Sequence, residues 1–198
     1  MHFSLLLCLI SLSTLSKGQH VVDHNCPSRP VLTNFDLKEY LGRWYEISRY
    51  EQFFEVGCDC GFADYTLNED GTVKVRNCCK RLPNTTLSCS IGKAAVSYPD
   101  EKPLPAKLSV AFRGKEPTES NYWILDTDYE NFSIVYFCKP LPENPEKSAE
   151  AFWLLSKSKV LDEETRQKAD TYIEKYFDKN AIRVAKQSRD QCGGDNQD

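Results

Sequence analysis

The feature that most constrains the fold is a series of eight short segments in which apolar and polar residues alternate. A period of two residues turns successive side chains to opposite faces of a β-strand, as in a sheet with one buried face. The segments are Arg43 to Tyr50, Gly61 to Leu67, Thr72 to Cys78, Leu87 to Val96, Ala106 to Phe112, Asn121 to Thr127, Ser133 to Cys138 and Glu150 to Lys157. The sequence therefore predicts an all-β domain of eight strands.

The connections between these segments predict antiparallel neighbours. Asn68 to Gly71, Pro83 to Thr85 and Asp128 to Asn131 are short and rich in turn-forming residues. Eight up-and-down strands can remove their unpaired edges by closing into a barrel, and a barrel of that size has room for one small ligand. A two-sheet sandwich is the structural alternative, although its crossings would need longer connections than most of these.

One amphipathic helix is predicted after the strands, over residues 162–178. Its apolar side chains recur at steps of three and four residues, and charged side chains fill the other side. The apolar set is Ala169, Tyr172, Ile173, Tyr176 and Phe177. Because the charges are of both signs, packing against the barrel wall is favoured over binding to a membrane surface or a partner.

Residues 1–18 have the pattern of a secretory signal peptide. An apolar run from Phe3 to Leu15 precedes small residues that flank a cleavage site before Gln19. No other apolar run approaches the roughly 20 residues needed to span a bilayer. We therefore expect a secreted, extracellular protein with no transmembrane segment.

The remaining chain, 19–198, suits a single domain. Its predicted parts are an amino-terminal arm (19–35), the barrel (43–157), the helix (162–178) and a tail (179–198). The formal net charge of the full chain of 198 residues is only −4, and the chain has no basic run. This balance argues against nucleic acid or acidic membrane surfaces as main partners and favours a neutral or apolar one.

The cysteines that follow the leader form an even set, which suits disulfides in an oxidising compartment. They are Cys26, Cys58, Cys60, Cys78, Cys79, Cys89, Cys138 and Cys192. Metal binding is the competing interpretation, but the spacings Cys-Asp-Cys and Cys-Cys do not match the paired C-x₂-C pattern of a zinc site. We expect four disulfides and no metal.

Two glycosylation sequons are present, at Asn84 and at Asn131. Each lies in a predicted turn, where a sugar could be attached without disturbing a core. The sequence therefore predicts a glycoprotein.

Three motifs occur in order along the chain. They are Gly42-Arg43-Trp44-Tyr45, Thr127-Asp128-Tyr129 and Phe152 to Lys157. Together, with a helix after the third, they resemble the three signature regions of the lipocalin family. The resemblance covers nearly all of the chain after the leader, and it is strongest to the group containing the insect bilin-binding proteins and apolipoprotein D.

This resemblance implies an extracellular carrier whose barrel is an apolar calyx open at one end. In the family, the tryptophan of the first motif packs across the closed end beneath a basic residue of the last strand. Here those residues would be Trp44 and Lys157, with Gly42 turning the backbone before Trp44. Lysine stands where the family usually has arginine, so it keeps the charge but loses the planar stacking of a guanidinium.

Alternation predicts which side chains line the calyx. The apolar faces carry Ala63, Tyr65 and Leu67; Val73, Val75, Asn77 and Cys79; and Leu108, Val110 and Phe112. The later strands add Val135, Phe137, Ala151, Trp153 and Leu155, and the resemblance adds Tyr122 and Ile124. The predicted ligand contacts are Tyr65, Asn77, Val110, Phe112, Tyr122, Phe137 and Trp153.

Asn77 and the Tyr65 hydroxyl are the polar groups expected to orient a ligand. The pattern alone gives equal weight to a packed core, and only the resemblance favours a pocket. Pigment-binding relatives place Asn, an aromatic residue and His where this chain has Asn77-Cys78-Cys79. The asparagine is kept and the histidine is missing, so a fatty acid, a sterol or a retinoid is at least as well supported as a bilin.

The resemblance also pairs Cys26 with Cys138 and Cys60 with Cys192. Cys78 and Cys79 point to opposite faces of one strand, so a bond between them would be strained. This leaves Cys58 paired with one of them and Cys89 paired with the other.

Transport, catalysis and inhibition are the competing functions. The only histidines are His2, His20 and His24, so the barrel has no imidazole for general-base chemistry or haem ligation. A cysteine-dependent isomerase would need an unpaired thiol, which an even set of cysteines does not provide. We therefore expect a carrier that requires no cofactor and is not an enzyme, with a protease inhibitor or mediator scavenger as the alternative.

Overall fold

The computed structural model describes residues 18–81 and 86–193. The predicted leader, apart from Gly18, lies outside these residues, and so does the predicted glycosylation site at Asn84. Both stay predictions.

Ten strands and two α-helices make up the described chain. The strands are β1 His20–Val22, β2 Gly42–Tyr50, β3 Cys58–Leu67, β4 Val73–Arg81, β5 Leu87–Val96, β6 Lys107–Phe112, β7 Ser120–Thr127, β8 Phe132–Leu141, β9 Asn144–Ser156 and β10 Ile182–Val184. The helices are α1 Glu163–Tyr176 and α2 Arg189–Cys192, with a 3₁₀ turn at Lys179–Ala181.

Strands β2 to β9 form the predicted up-and-down barrel. Each strand pairs antiparallel with the next, and β9 also pairs with β2, so the sheet closes on itself. The closing register places Tyr45 opposite Ser156 and Arg49 opposite Trp153. The eight-stranded barrel is confirmed, and the closing pair excludes the sandwich.

Two strands were not predicted. β1 pairs with β9, with His20 opposite Glu150, and β10 pairs with β2, with Arg183 opposite Arg49. Each has three residues, too few for a two-residue period to be recognised. They form because β2 and β9 offer unpaired backbone groups there, which is a property of the assembled sheet.

The predicted helix is confirmed. Asp162 caps its amino terminus by accepting a hydrogen bond from the Thr165 amide at 2.9 Å, and Glu163 and Glu164 complement the helix dipole in the first turn. Ala169 and Ile173 are buried against the barrel. Their four-residue spacing is part of the pattern that predicted the helix.

Alternation along the strands separates two apolar clusters. The outer cluster lies between the barrel wall and α1, and contains Ile47, Tyr50, Leu125, Phe132, Ile134, Tyr136, Phe152, Leu154, Ala169, Ile173 and Phe177. The interior cluster contains Phe35, Tyr40, Trp44, Ala106, Leu108, Ile124, Val135 and Leu155, with Tyr65, Val110, Tyr122 and Trp153 packed against it. Tyr122 and Ile124 therefore face inward, while Trp123 packs against the outer cluster.

Four disulfides join all eight cysteines of the described chain. The pairs are Cys26–Cys138, Cys58–Cys79, Cys60–Cys192 and Cys78–Cys89. The first and third are the pairs that the resemblance implied. The other two match the expectation that Cys78 and Cys79 bond to different partners, because adjacent side chains on a strand point to opposite faces.

Candidate functional site

Trp44 closes one end of the barrel. Its side chain is completely buried, and its indole Nε1 donates a hydrogen bond to the Tyr40 carbonyl at 2.8 Å. The Lys157 ammonium lies 4.1 Å from the centre of the indole ring and donates to the Leu41 carbonyl at 2.5 Å. Gly42 has φ +92°, a conformation that favours glycine, and this lets the chain turn directly before Trp44. Partial burial lowers the pKa of Lys157.

The second signature region builds a turn between β7 and β8. The Thr127 hydroxyl donates to the Phe132 carbonyl at 2.5 Å, and the Asp128 carboxylate accepts from the Asn131 amide at 2.8 Å. Partial burial favours the neutral form of Asp128, but the hydrogen bonds outweigh it and hold its pKa below the ordinary value. The Tyr129 hydroxyl accepts from the Asp36 amide at 3.1 Å, so the turn anchors the amino-terminal arm. These contacts are structural.

The Asn131 sequon lies in this turn. Asn131 is exposed, and its side-chain amide donates to Asp128 at 2.8 Å. Glycosylation there stays a prediction.

Exposure of the inward-facing side chains changes along the barrel axis. Near Trp44 the interior is packed, because Leu108, Ile124, Val135 and Leu155 are all buried. A second inward set is only half-buried, although it faces the inside of a closed sheet: Tyr65, Val110, Phe112, Tyr122 and Trp153. Their partial exposure shows that solvent-accessible space remains beside them on the inner side of the sheet.

Four hydroxyl groups form a chain at the base of this space. Ser133 Oγ lies 2.8 Å from Tyr40 Oη, Tyr40 Oη lies 3.0 Å from Tyr122 Oη, and Tyr122 Oη lies 3.0 Å from Tyr65 Oη. The Tyr65 ring stacks on the Tyr40 ring with centroids 5.9 Å apart. Burial raises the pKa of Tyr65 to about 12, so the phenol stays neutral.

The wall formed by β2 and β9 carries a buried ionic cluster. The Arg49 guanidinium is fully buried and contacts Glu46, Glu51 and Glu55. Arg49 lies directly opposite Trp153, and Glu46 lies opposite Leu155. Directly opposed residues share a face of the sheet, so both point into the barrel.

Glu55 links this ionic cluster to the open space. Its carboxylate oxygens accept a hydrogen bond from Trp153 Nε1 at 3.2 and 3.3 Å. Burial, together with the nearby charge of Glu46, raises the pKa of Glu55 to about 8, although Arg49 opposes the shift. Burial also raises the pKa of Glu46.

Sequence reasoning missed this cluster for a specific reason. Counting in steps of two from Trp44 places Arg49 on the outer face. The pairing of β2 with β9 shifts register between Glu46 and Ser48, and the extra residue turns Arg49 inward. No local signal in the sequence marks this bulge.

Tyr40, which belongs to the hydroxyl chain, was missed for a different reason. It precedes the strand, where alternation does not apply.

The strand register places the other two predicted contact residues, Asn77 and Phe137, on the inward face of the sheet. Asn77 is exposed on β4, opposite Ala63. Phe137 is half-buried opposite Ala151, and its ring edge contacts Trp123 with centroids 5.8 Å apart. Tyr65, Val110, Tyr122 and Trp153, by contrast, pack together against the interior cluster, and Phe112 packs beside Val73, Val75 and Ala94.

Comparison with known proteins agrees with this geometry. The lipocalin-like domain family matches residues 35–187. The chain is a lipocalin. Apolipoprotein D of Rattus norvegicus is 40% identical over 183 residues, which cover 92% of this lipocalin and 90% of that protein. The Lazarillo protein of Schistocerca americana is 30% identical over 193 residues, covering 96% and 87%.

Solved structures show the same fold. Insecticyanin from the tobacco hornworm Manduca sexta superposes on this lipocalin with a TM-score of 0.76 at 26% identity, covering 88% of this chain and 93% of that one. Lobster apocrustacyanin A1 superposes with a TM-score of 0.62 at 18% identity, covering 77% and 80%, and shares the fold.

Proposed function

We propose that this lipocalin is a carrier that binds one small hydrophobic molecule in the open part of its barrel. Lipocalins are carrier proteins that bind hydrophobic ligands. The observation that carries the proposal is the half-buried set of inward-facing aromatic and aliphatic side chains above the floor sealed by Trp44. A concave, mostly apolar space with a few placed polar groups is what a small-molecule site requires.

The proposed ligand contacts are Tyr65, Val110, Phe112, Tyr122 and Trp153. All five face inward and keep accessible surface. Asn77 and Phe137 are proposed to contact only the part of a ligand that lies towards the periphery of the site.

We also propose that the protein is secreted. The four disulfides support this, because such bonds persist in oxidising compartments. Within residues 18–81 and 86–193, no helix has the length and apolar character that crossing a bilayer requires.

A binding role is better supported than catalysis. Every cysteine of the described chain is in a disulfide, so none of these residues offers the thiol that a cysteine-dependent isomerase needs. His20 lies outside the barrel, where its ring packs at a tilt against Tyr50 of the outer cluster with centroids 4.1 Å apart. Inhibition of a protease or scavenging of a mediator is the second candidate, and the binding experiment distinguishes it.

The test is titration of the secreted protein with the neutral fluorescent probe N-phenyl-1-naphthylamine. We expect saturable one-to-one binding that quenches Trp153 fluorescence and that weakens in Phe112→Glu, because this change places a charge in the apolar site. The matched control is Ile91→Glu, since Ile91 is exposed.

Two results would contradict the carrier proposal. One is unchanged probe affinity in a folded Phe112→Glu variant, which would show that the probe binds elsewhere. The other is a barrel that binds no apolar probe, releases no ligand on organic extraction in native mass spectrometry, and yet inhibits a protease.

A further inference from the structure

The chain of hydroxyl groups from Ser133 through Tyr40 and Tyr122 to Tyr65 contains one hydrogen that its own hydrogen bonds do not use. Four hydroxyl groups joined by three hydrogen bonds use three hydrogens, so one of the four groups is left with a free donor. When each bond is donated in the direction from Ser133 to Tyr65, the free hydrogen lies on Tyr65. When all three bonds reverse, Tyr65 donates to Tyr122 and presents only lone pairs.

Only one end of this chain can meet a ligand. Ser133 and Tyr40 are 0% and 1% exposed, whereas Tyr65 and Tyr122 are half-buried. The Tyr65 ring is held by stacking on Tyr40 and by edge-on contact with Tyr122, with centroids 6.4 Å apart. Tyr65 therefore presents a positioned, neutral group that can either donate or accept one hydrogen bond.

Among the described residues, neither cation that faces the barrel interior is available to pair with a negatively charged ligand. Arg49 is fully buried and is already surrounded by Glu46, Glu51 and Glu55. The Lys157 ammonium lies against the Trp44 ring and donates to the Leu41 carbonyl.

The carboxyl group that borders the interior cluster brings no positive charge to the site. Glu55 bonds Trp153, which packs against the same interior cluster as Tyr65. Burial is the main cause of the raised pKa of Tyr65, the hydrogen bond with Tyr122 opposes it, and Asp64 and then Glu55 add smaller upward effects. A ligand carboxylate placed here would meet no available cation.

On the basis of the proposed carrier function, we propose that this site prefers ligands whose buried polar group is an uncharged hydroxyl or carbonyl. Tyr65 binds this group, and otherwise identical carboxylates bind more weakly. A buried charge without a counter-ion is far more costly than a neutral group with one hydrogen bond. Among the ligand classes considered, this favours sterols and retinol-like alcohols over fatty acids and over bilins, which carry propionate groups.

The test compares oleyl alcohol with oleate as competitors for N-phenyl-1-naphthylamine at pH 7.4. The two molecules share one chain and differ only in the end group. We expect the alcohol to bind at least about tenfold more tightly, which corresponds to roughly 1.4 kcal/mol. This comparison needs no variant, so it cannot fail through misfolding.

A variant then assigns the selectivity to Tyr65. Tyr65→Phe is expected to weaken oleyl alcohol by about three- to tenfold, the worth of one neutral hydrogen bond, and to leave 1-octadecene unchanged. The control Tyr45→Phe changes a hydroxyl whose ring packs against Phe62, and should leave both affinities unchanged.

The outcomes separate this inference from the carrier function. If oleate binds as tightly as oleyl alcohol, or if Tyr65→Phe leaves the alcohol affinity unchanged, the selectivity is overturned and the carrier function stands. If neither the probe nor any of the three chains binds, the carrier function fails, and the inference fails with it.

Discussion

At the scale of single residues, the inward side chains of the barrel divide into a floor and a polar wall. Trp44 and Lys157 seal the floor through ring contact and backbone hydrogen bonds. Arg49 and its glutamates stabilise the wall between β2 and β9. Trp44 and Arg49 are fully buried at the centres of these two sets, so changes in them are expected to alter stability as well as binding.

Replacing Trp44 with Ala is expected to lower the free energy of unfolding by about 3–5 kcal/mol, because removing a fully buried ring leaves a cavity. Urea denaturation followed by circular dichroism measures the loss. Tyr45→Ala is the control, since Tyr45 is half-buried and should cost less. A Trp44→Ala variant with a wild-type midpoint but no ligand binding would contradict the structural role.

The raised pKa of Glu55 predicts that the stability of the folded protein depends on pH. Burial first, and then Glu46, raise its pKa from 4.5 to about 8 in the folded protein. Between these two values the folded state holds a proton that the unfolded state has lost, so the free energy of unfolding falls as pH rises. Glu55→Gln cannot ionise, and its amide oxygen can still accept from Trp153. We expect this variant to lose less stability than the wild type between pH 5 and pH 9. Urea denaturation at several pH values measures the stability of both proteins. If the stability of the wild type and of Glu55→Gln changes with pH in parallel, Glu55 is not the group responsible.

At the scale of elements, periodicity predicted the long strands and the helix but not β1 and β10. The predicted start of β9 at Glu150 was also too late, because the strand begins at Asn144. Residues 144–148 contain Pro, Glu and Lys, which do not alternate in polarity. They are held in the strand by pairing with β8 and β1, which a local pattern does not show.

Helix α1 is expected to be stabilised mainly by its buried face. Ile173→Ala should lower the free energy of unfolding by about 2–4 kcal/mol, because Ile173 is 4% exposed within the outer cluster. Thr171→Ala on the exposed face of the same helix should cost much less. Thermal and urea denaturation compare the two. Equal losses would show that helix propensity, and not packing, holds the element.

At the scale of the whole molecule, the disulfides tie distant parts of the chain to the barrel. Cys26–Cys138 and Cys60–Cys192 close loops with sequence separations of 112 and 132 residues, whereas Cys78–Cys89 closes one of 11. Longer loops constrain the unfolded chain more strongly.

Removing Cys26–Cys138 by a double change to Ala is expected to cost about 4–5 kcal/mol, against about 3 kcal/mol for removing Cys78–Cys89 in the same way. The matched pair of double variants isolates loop length, and urea denaturation without reductant measures each loss. A larger loss for Cys78–Cys89 would show that native contacts, and not loop entropy, set the contribution.

The sequence by itself determined the number and order of the barrel strands, the helix, the floor built on Gly42 and Trp44, and the even set of cysteines. These features follow from local periods, turn residues and short motifs, which act over a few residues. The inward positions of Tyr65, Val110 and Phe112 also follow from alternation, because their strands keep a regular register beside them.

Only the tertiary structure decided the polar interior. The bulge in β2 turns Arg49 inward, and the loop after β2 brings Glu55 onto Trp153, 98 residues away in sequence. The hydroxyl chain joins Tyr40 to Ser133 across 93 residues. Such contacts depend on how distant strands are staggered in the closed barrel, and a local sequence pattern carries no information about that stagger.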